Sequence, residues 1–389
     1  NSQLIFYPNV HIRLSIKQKM NNSINKIHPL KDLFQELSND LDSTESNEIQ
    51  ISENDVPISL DKDNFQEITD IPDSKKIAFV DGGDGILEEA PNFLITINRI
   101  YFSMFRGKER FSPKNIKSRI EFFSSVVTKI LDEDNKKEVM YKTKLFPYNK
   151  QDTKLLPEET DLESKTNSTT ILESERLTSL SRRFAEWKLA QEIVKEELVK
   201  GDIIVKDGSL QSNFKNETKY ANHLYELAME KGVVVCGLSK TSRLIDLDQA
   251  EPIITKIQRF AEKSGLDKWF FEIGRLPGDD MGFNLIAKFH KNSNYIFRFE
   301  ILAEQYEKMS DLERNEILAS FVNNSSDMTA IGYPYGFVDA DRFAQVRKNE
   351  LPMYKGMLIA QIGNHPEYKK FHSLASSTKF HDELNKVTS

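Results

Sequence analysis

Two carboxylates at the ends of apolar runs carry the clearest chemistry in this chain. Ile77-Ala78-Phe79-Val80 leads into Asp81-Gly82-Gly83, and Asp202-Ile203-Ile204-Val205-Lys206 leads into Asp207-Gly208-Ser209-Leu210. Runs of β-branched and aromatic residues read as buried strands. A following glycine lets the backbone turn and keeps side-chain bulk away from the acid. Each Asp is therefore expected at the carboxyl end of a strand, where open α/β sheets bind ligands. Two such acids at neighbouring strand ends would hold a divalent metal, which points to phosphoryl-transfer chemistry on a nucleic acid or nucleotide. Asp-Gly is also a common turn dipeptide, so either segment alone reads more readily as a turn.

A third acid strengthens the metal reading. Ser181-Arg182-Arg183-Phe184-Ala185-Glu186-Trp187 places Glu186 mid-helix among apolar residues. A carboxylate beside Phe184, Trp187 and Ala190 costs free energy unless it is paired or on a metal. The plainer reading is an exposed Glu186 paired with Arg182 or Arg183, worth roughly 0.3–0.5 kcal/mol. With Asp81 and Asp207 it completes a set of three oxygen donors of the kind Mg²⁺ and Mn²⁺ prefer. Two ions about 4 Å apart would clamp the attacking and leaving oxygens of a phosphodiester.

The elements that must position these acids follow an α/β order. Residues 76–83 and 93–102 form a strand pair and start an antiparallel meander. Residues 107–172 read as an insertion, with a helix near Ile120–Leu131. The clearest helix covers 174–200, where Leu177, Leu180, Phe184, Trp187, Ile193 and Val194 make an apolar face and Gly201 ends it. The Asp207 strand comes next, then a helix over Glu217–Lys231 and a strand over Val233–Leu238. Helices acting as crossovers between strands predict a parallel component in the sheet. An antiparallel pair, Asn284–His290 and Tyr295–Leu302, and helices near Asp311–Ser320 and Val338–Val346 complete the pattern. Upstream, Leu30, Leu33, Phe34 and Leu37 recur at helical spacing, and residues 41–75 read as a linker or loosely packed β segment.

Bulk properties narrow the class. The chain has 389 residues, 39% of them hydrophobic, with 25 Phe and a net charge of −7. No apolar run reaches the length of a membrane span, and no secretory leader pattern opens the sequence, so a cytoplasmic location is expected. One cysteine, Cys236, lies within an apolar run, which excludes a disulfide framework and a multi-cysteine zinc site. The negative charge argues against tight DNA binding by the chain alone. One basic strip, residues 106–119, has Phe111 and Ile116 interleaved, as a groove for a nucleic-acid strand would. Its Arg106, Lys108, Arg110, Lys114 and Lys117 are candidate phosphate contacts, as is Lys240 after the Val233–Leu238 strand. A solvated charged face is the alternative for each.

Four segments in order make the chain similar to the NurA nucleases of archaea. They are Phe79-Val80-Asp81-Gly82-Gly83; Arg183-Phe184-Ala185-Glu186-Trp187-Lys188-Leu189-Ala190; Val205-Lys206-Asp207-Gly208-Ser209-Leu210 with Val235-Cys236-Gly237-Leu238-Ser239-Lys240; and Gly332-Tyr333-Pro334-Tyr335-Gly336-Phe337-Val338-Asp339-Ala340-Asp341-Arg342. The resemblance implies an α/β, RNase H-like mixed sheet with flanking helices, here with an inserted segment and a C-terminal extension. It implies a nuclease domain over 76–362; outside the matching segments lie residues 1–75, read as an N-terminal helix and a loosely ordered or partner-docking segment, and a C-terminal tail over 363–389. It further implies Mn²⁺ or Mg²⁺ on Asp81, Glu186 and Asp207, two ions in all, with Tyr333 in the active site. Where the family often has His eight residues after that Tyr, this chain has Asp341, which can bind metal but cannot act as an imidazole proton donor. The implied activity is 5′→3′ exonuclease and single-strand endonuclease cleavage of DNA ends in double-strand break repair. The implied assembly is a homodimer beside a HerA-type hexameric ATPase, in the Mre11–Rad50 pathway and associated with the nucleoid.

Two other classes fit parts of the pattern. An actin- or sugar-kinase-like ATPase also opens on an Asp-Gly strand and a meander, but it would want a second Gly-rich phosphate hairpin and would leave Glu186 without a role. A non-catalytic scaffold of the same fold suits the charge balance but not three intact acids.

Overall fold

The computed structural model describes residues 29–38, 46–53, 56–72, 75–133, 136–166, 174–278, 281–363, 365–367 and 373. Fourteen strands are described. β1 (Glu48–Ile49) and β2 (Ile58–Ser59) pair with each other. The rest form one twelve-stranded sheet: β3 (Phe65–Glu67), β4 (Ile77–Ala90), β5 (Phe93–Arg106), β6 (Glu109–Phe111), β7 (Arg119–Glu133), β8 (Lys136–Pro147), β9 (Ser164–Thr166), β10 (Ile203–Asp207), β11 (Val234–Ser239), β12 (Trp269–Arg275), β13 (Gly282–Lys288) and β14 (Phe297–Leu302). The helices are α1 (residues 29–38), α2 (Ser174–Glu196), α3 (Glu217–Lys231), α4 (Ile253–Ser264), α5 (Ala303–Tyr306), α6 (Asp311–Asn324), α7 (Tyr335–Ala344) and α8 (Leu351–Ile362).

The spatial order β7-β5-β4-β10-β11 is the heart of the fold. β4, β5 and β7 are an antiparallel meander. β10 then lies parallel to β4, and β11 parallel to β10, so α2 and α3 serve as the crossovers. This is the RNase H-like arrangement. Antiparallel β14, β13, β12 and β3 extend the sheet beyond β11.

Alternation along the strands makes two cores, one on each face. Ala78, Val80 and Ile204 pack with Phe184, Trp187, Ile193 and Val194 of α2 and with Leu224 of α3. Phe79, Ile203 and Val205 pack on the opposite face with Phe321 of α6 and Phe337 and Ala340 of α7. Cys236 is buried on this second face, and burial pushes its thiol well above the usual value.

Several expectations need correction. The segment Ile120–Leu131 is not a helix but most of β7, paired to β5 and β8. Its buried Ile120, Phe122, Ser124 and Val126 alternate, and the serines within the run hide that period of two. Part of the segment read as an insertion, residues 119–147, thus extends the meander. β4 runs beyond the expected residue 83 to Ala90, through a bulge between Ile86 and Glu88. Helix α2 ends at Glu196 rather than at Gly201. Residues 29–38 are helical as the spacing suggests, and their Leu30, Leu33, Phe34 and Leu37 are exposed. The first 28 residues, and most of the tail beyond 363, lie outside the described residues.

Candidate active site

Asp81 and Asp207 come together because of strand register. The parallel pairing of β4 and β10 ends at Val80–Lys206, and the next residue on each strand is an aspartate. Both follow the alternation onto the face that carries α7. Asp207 is the last residue of β10, and Gly208 turns the chain away with φ +94°. Asp81 is different, because β4 runs straight on past it.

The glycines after Asp81 serve close approach rather than a turn. A Cβ on Gly82 would lie 2.5 Å from Glu186 Oε1 and 2.8 Å from Arg182 Cγ. A Cβ on Gly83 would lie 2.4 Å from the Ala344 carbonyl oxygen. The strand therefore lets α2 press on one face and the end of α7 on the other.

Burial sets the electrostatics of Asp81. Its Oδ1 accepts the Gly82 N–H at 2.7 Å, while Oδ2 is buried without a hydrogen-bond partner. Burial first, then the charges of Asp207 and Glu186, raise its carboxyl to about 7. Such a group takes up either a proton or a cation.

Glu186 is buried, as the sequence suggests, and yet paired, as the plainer reading suggests. Arg182 Nη1 donates to its Oε1 at 2.5 Å, and Lys206 Nζ lies 3.3 Å from Oε2. Burial works to raise this carboxyl, but Arg182 and Lys206 outweigh it and hold it below the usual range. Arg182 also donates to Asp84 at 2.7 Å and to the Gly82 carbonyl at 3.2 Å. Lys206 follows Val80 and Ile204 onto the α2 face and lies 5.0 Å from the Trp187 ring centre.

On the opposite face, Lys240 follows β11 and its Nζ donates to Asp207 Oδ2 at 2.9 Å. The same ammonium is 3.8 Å from Asp341 Oδ1 and 5.8 Å from the centre of the Tyr333 ring. Burial disfavours its charge, but Asp207, Asp81 and Asp341 prevail and raise its pKa. The Tyr333 hydroxyl is buried without a partner. Burial, then Asp207, Asp81 and Asp341, push its phenol up, so it stays a neutral donor. Asp341, on α7, is 60% exposed.

The structure thus gathers Asp81, Asp207, Lys240, Tyr333 and Asp341 on one face and brings Glu186 to them across Gly82. Among the described residues, no three His, Cys, Asp or Glu side chains are placed to hold one metal ion together. Counter-charges explain this: Glu186 is held by Arg182 and Lys206, and Asp207 by Lys240. The donor set nevertheless fits a divalent ion at Asp81 and Asp207, because the buried Oδ2 of Asp81 lacks a partner and oxygen donors suit Mg²⁺ and Mn²⁺. Sequence reasoning missed Asp84, Arg182 as a buried clamp, and Lys206. Their partners are set by tertiary contacts, though the spacing of four between Arg182 and Glu186 is a readable signal.

The basic strip is less free than its sequence suggests. Arg110 pairs with Asp339 of α7 at 2.9 Å, Lys117 with Asp152 at 3.1 Å, and Arg119 with Glu121 at 2.7 Å. Arg106 lies over the Phe111 ring. The Glu197 carboxylate accepts the backbone N–H groups of Lys114, Asn115 and Ile116 and fixes the loop. Arg110 also donates to the Tyr101 hydroxyl, and Tyr101 is the cross-strand partner of Asp81.

The NurA nuclease from Sulfolobus solfataricus has a similar fold: TM-score 0.51 and 14% identity, over 89% of this chain and 98% of that one. Two structures of Aquifex aeolicus Argonaute align over 72% and 71% of this chain and 29% of theirs, at 8% and 10% identity. Their TM-scores are 0.26 and 0.30. No curated protein sequence matches. The NurA domain model matches residues 75–346, more than half of the chain. On that match and the shared fold, the chain belongs to the NurA family.

Proposed function

We propose that this chain is a divalent-metal-dependent DNA nuclease. The observation that carries the reading is the meeting of Asp81 and Asp207 on neighbouring central strands, with a buried Asp81 oxygen lacking a partner, inside a NurA domain. Asp81 and Asp207 are the residues to hold Mn²⁺ or Mg²⁺. When bound, such an ion polarises the phosphoryl group and makes water a better nucleophile. Tyr333 keeps its proton and donates it in a hydrogen bond to a phosphate oxygen. Glu186 keeps its charge through Arg182 and Lys206 and holds the α2 side of the site in place. Asp341 adds a carboxylate at the open side, where solvent and substrate enter.

The finer reading is 5′→3′ exonuclease and single-strand endonuclease action on DNA ends in double-strand break repair. The chain would work as a homodimer, close to the nucleoid in the cytoplasm, with a HerA-type hexameric ATPase and in the Mre11–Rad50 pathway. Family membership and a net charge of −7 support dependence on a motor, since an acidic chain holds DNA weakly by itself. Arg106, Lys108, Arg110, Lys114, Lys117 and Lys240 are the proposed DNA contacts. The described residues include no helix long and apolar enough to cross a membrane.

The test is cleavage of end-labelled single- and double-stranded DNA with Mn²⁺, Mg²⁺ or EDTA, with and without the ATPase. Metal-dependent shortening from 5′ ends is expected. Unchanged DNA under every metal condition defeats the reading.

A further inference from the structure

The site carries three of its own cations. Asp81, Asp84, Glu186, Asp207 and Asp341 supply five carboxylates. Arg182, Lys206 and Lys240 face them. The surrounding pairs, Arg110 with Asp339 and Arg183 with Glu217, close on themselves. The formal balance is therefore two negative charges, the amount one divalent ion cancels.

Placement divides those charges unevenly. Lys240 Nζ stands between the acid of β10 and the acid of α7, at 2.9 Å and 3.8 Å. Asp81, on the strand on the other side of β10 from β11, keeps a buried oxygen with no partner. A cation is thus already present on the Lys240 side, and one is wanting on the Asp81 side.

We infer that this chain binds a single divalent ion at Asp81 and Asp207, and that Lys240 stands where a second ion would sit, neutralising Asp207 and Asp341. This rests on the metal-dependent reading above and differs from the two ions that the family resemblance implies. The ammonium repels a dication placed between Asp207 and Asp341, and partial burial strengthens that repulsion beyond its value in water, whereas for an ion against Asp81 the Asp207 carboxylate offsets it. Removing the ammonium while leaving every carboxylate in place should open the second position. Lys240 is 43% exposed on the rim of the site, so a substitution there disturbs no packed core.

The experiment is Mn²⁺ stoichiometry of the full chain without DNA, read as bound against free ion by electron paramagnetic resonance, for wild type, Lys240→Met and Lys240→Arg. Wild type and Lys240→Arg should bind one ion. Lys240→Met should bind two, or tighten the second by on the order of tenfold or more. A second readout is thermal melting in EDTA: Lys240→Met should melt lower, with Asp207 and Asp341 left facing each other, and should gain more from Mn²⁺ than wild type does. Two ions of comparable affinity in wild type overturn the inference, as does a single ion in Lys240→Met. One bound ion without DNA cleavage would instead defeat the nuclease reading and leave this inference standing. No bound ion in any of the three proteins defeats both.

Discussion

The chain uses Asp-Gly twice at one site, and the two uses are physically different. At Asp207-Gly208 the glycine adopts φ +94° and ends β10, and a Cβ there would meet nothing within 4 Å. At Asp81-Gly82-Gly83 the strand continues, and the glycines are needed for the space they leave. The first acid is buried; the second sits at the rim beside Lys240, 24% exposed. One dipeptide therefore gives the site a closely packed half and a more open half. The buried half sets the position of the acid, and the rim half can adapt to a metal and substrate.

Chemistry should not distinguish the two halves. Asp81→Asn and Asp207→Asn are each expected to lower the cleavage rate with Mn²⁺ on the order of a thousandfold or more, the several kcal/mol that metal assistance supplies. Single-turnover rates on labelled DNA check this, and a variant within tenfold of wild type would remove that acid from the mechanism.

Packing should distinguish them sharply. Gly83→Ala drives a methyl into the Ala344 backbone at 2.4 Å, which no side-chain rotation relieves. Its cost is expected at about 2–3 kcal/mol, an overpacking penalty. Urea unfolding measures it, and a loss below that of Gly208→Ala would break the comparison.

Charge should distinguish them in the opposite direction. The Asp81 carboxyl is raised from 3.8 to about 7 by burial, Asp207 and Glu186. The unfolded chain therefore releases this proton at lower pH than the folded one. Without metal, that makes the folded state lose stability as pH rises from about 4 to 7, with the full loss above that window. Asp81→Asn removes the loss and should stabilise the metal-free protein by on the order of 2 kcal/mol at pH 8. Asp207→Asn removes the partly exposed Lys240 pair and should cost under about 1 kcal/mol. Melting curves in EDTA across pH decide this, and a destabilised Asp81→Asn at pH 8 would contradict the account of its burial.

Much of this arrangement is legible in the chain before any coordinates. The runs before Asp81 and Asp207 show themselves as strands because both faces of that part of the sheet are covered. Helices α2 and α3 show themselves by apolar period, and α3 stops at Gly232, where φ is +69°. β7 is misread because Phe123 and Val127 are apolar on its second face, which gives 120–131 the look of a helix. β12 goes unassigned because one of its partners, β3, is far away in sequence; α4 goes unassigned although Ile253, Ile257 and Ala261 recur at helical spacing. At the site, acids are readable and their counter-charges are not. Lys206 adjoins Asp207 in sequence but points to the opposite face, and only the fold sets it against Glu186. The glycines illustrate the same limit, since a turn and a close approach share one letter.

The smallest expected effect tests the more open half. Gly208 has open space around its missing Cβ, so Gly208→Ala meets only the backbone cost of a positive φ, about 1 kcal/mol. That cost is relieved by a shift of the turn at the expense of its contacts, the Gly208 carbonyl against Gly237 and the Gly208 N–H bond to the Leu238 carbonyl at 2.8 Å. Such a shift would move Asp207 relative to Asp81 without unfolding the sheet. The expected result is a small stability loss with a larger rise in the Mn²⁺ concentration needed for half-maximal cleavage, whereas Gly83→Ala should lose stability first. If Gly208→Ala leaves the Mn²⁺ requirement unchanged, the turn does not position Asp207 and the adaptable half of the site must be sought at Lys240 and Asp341 instead.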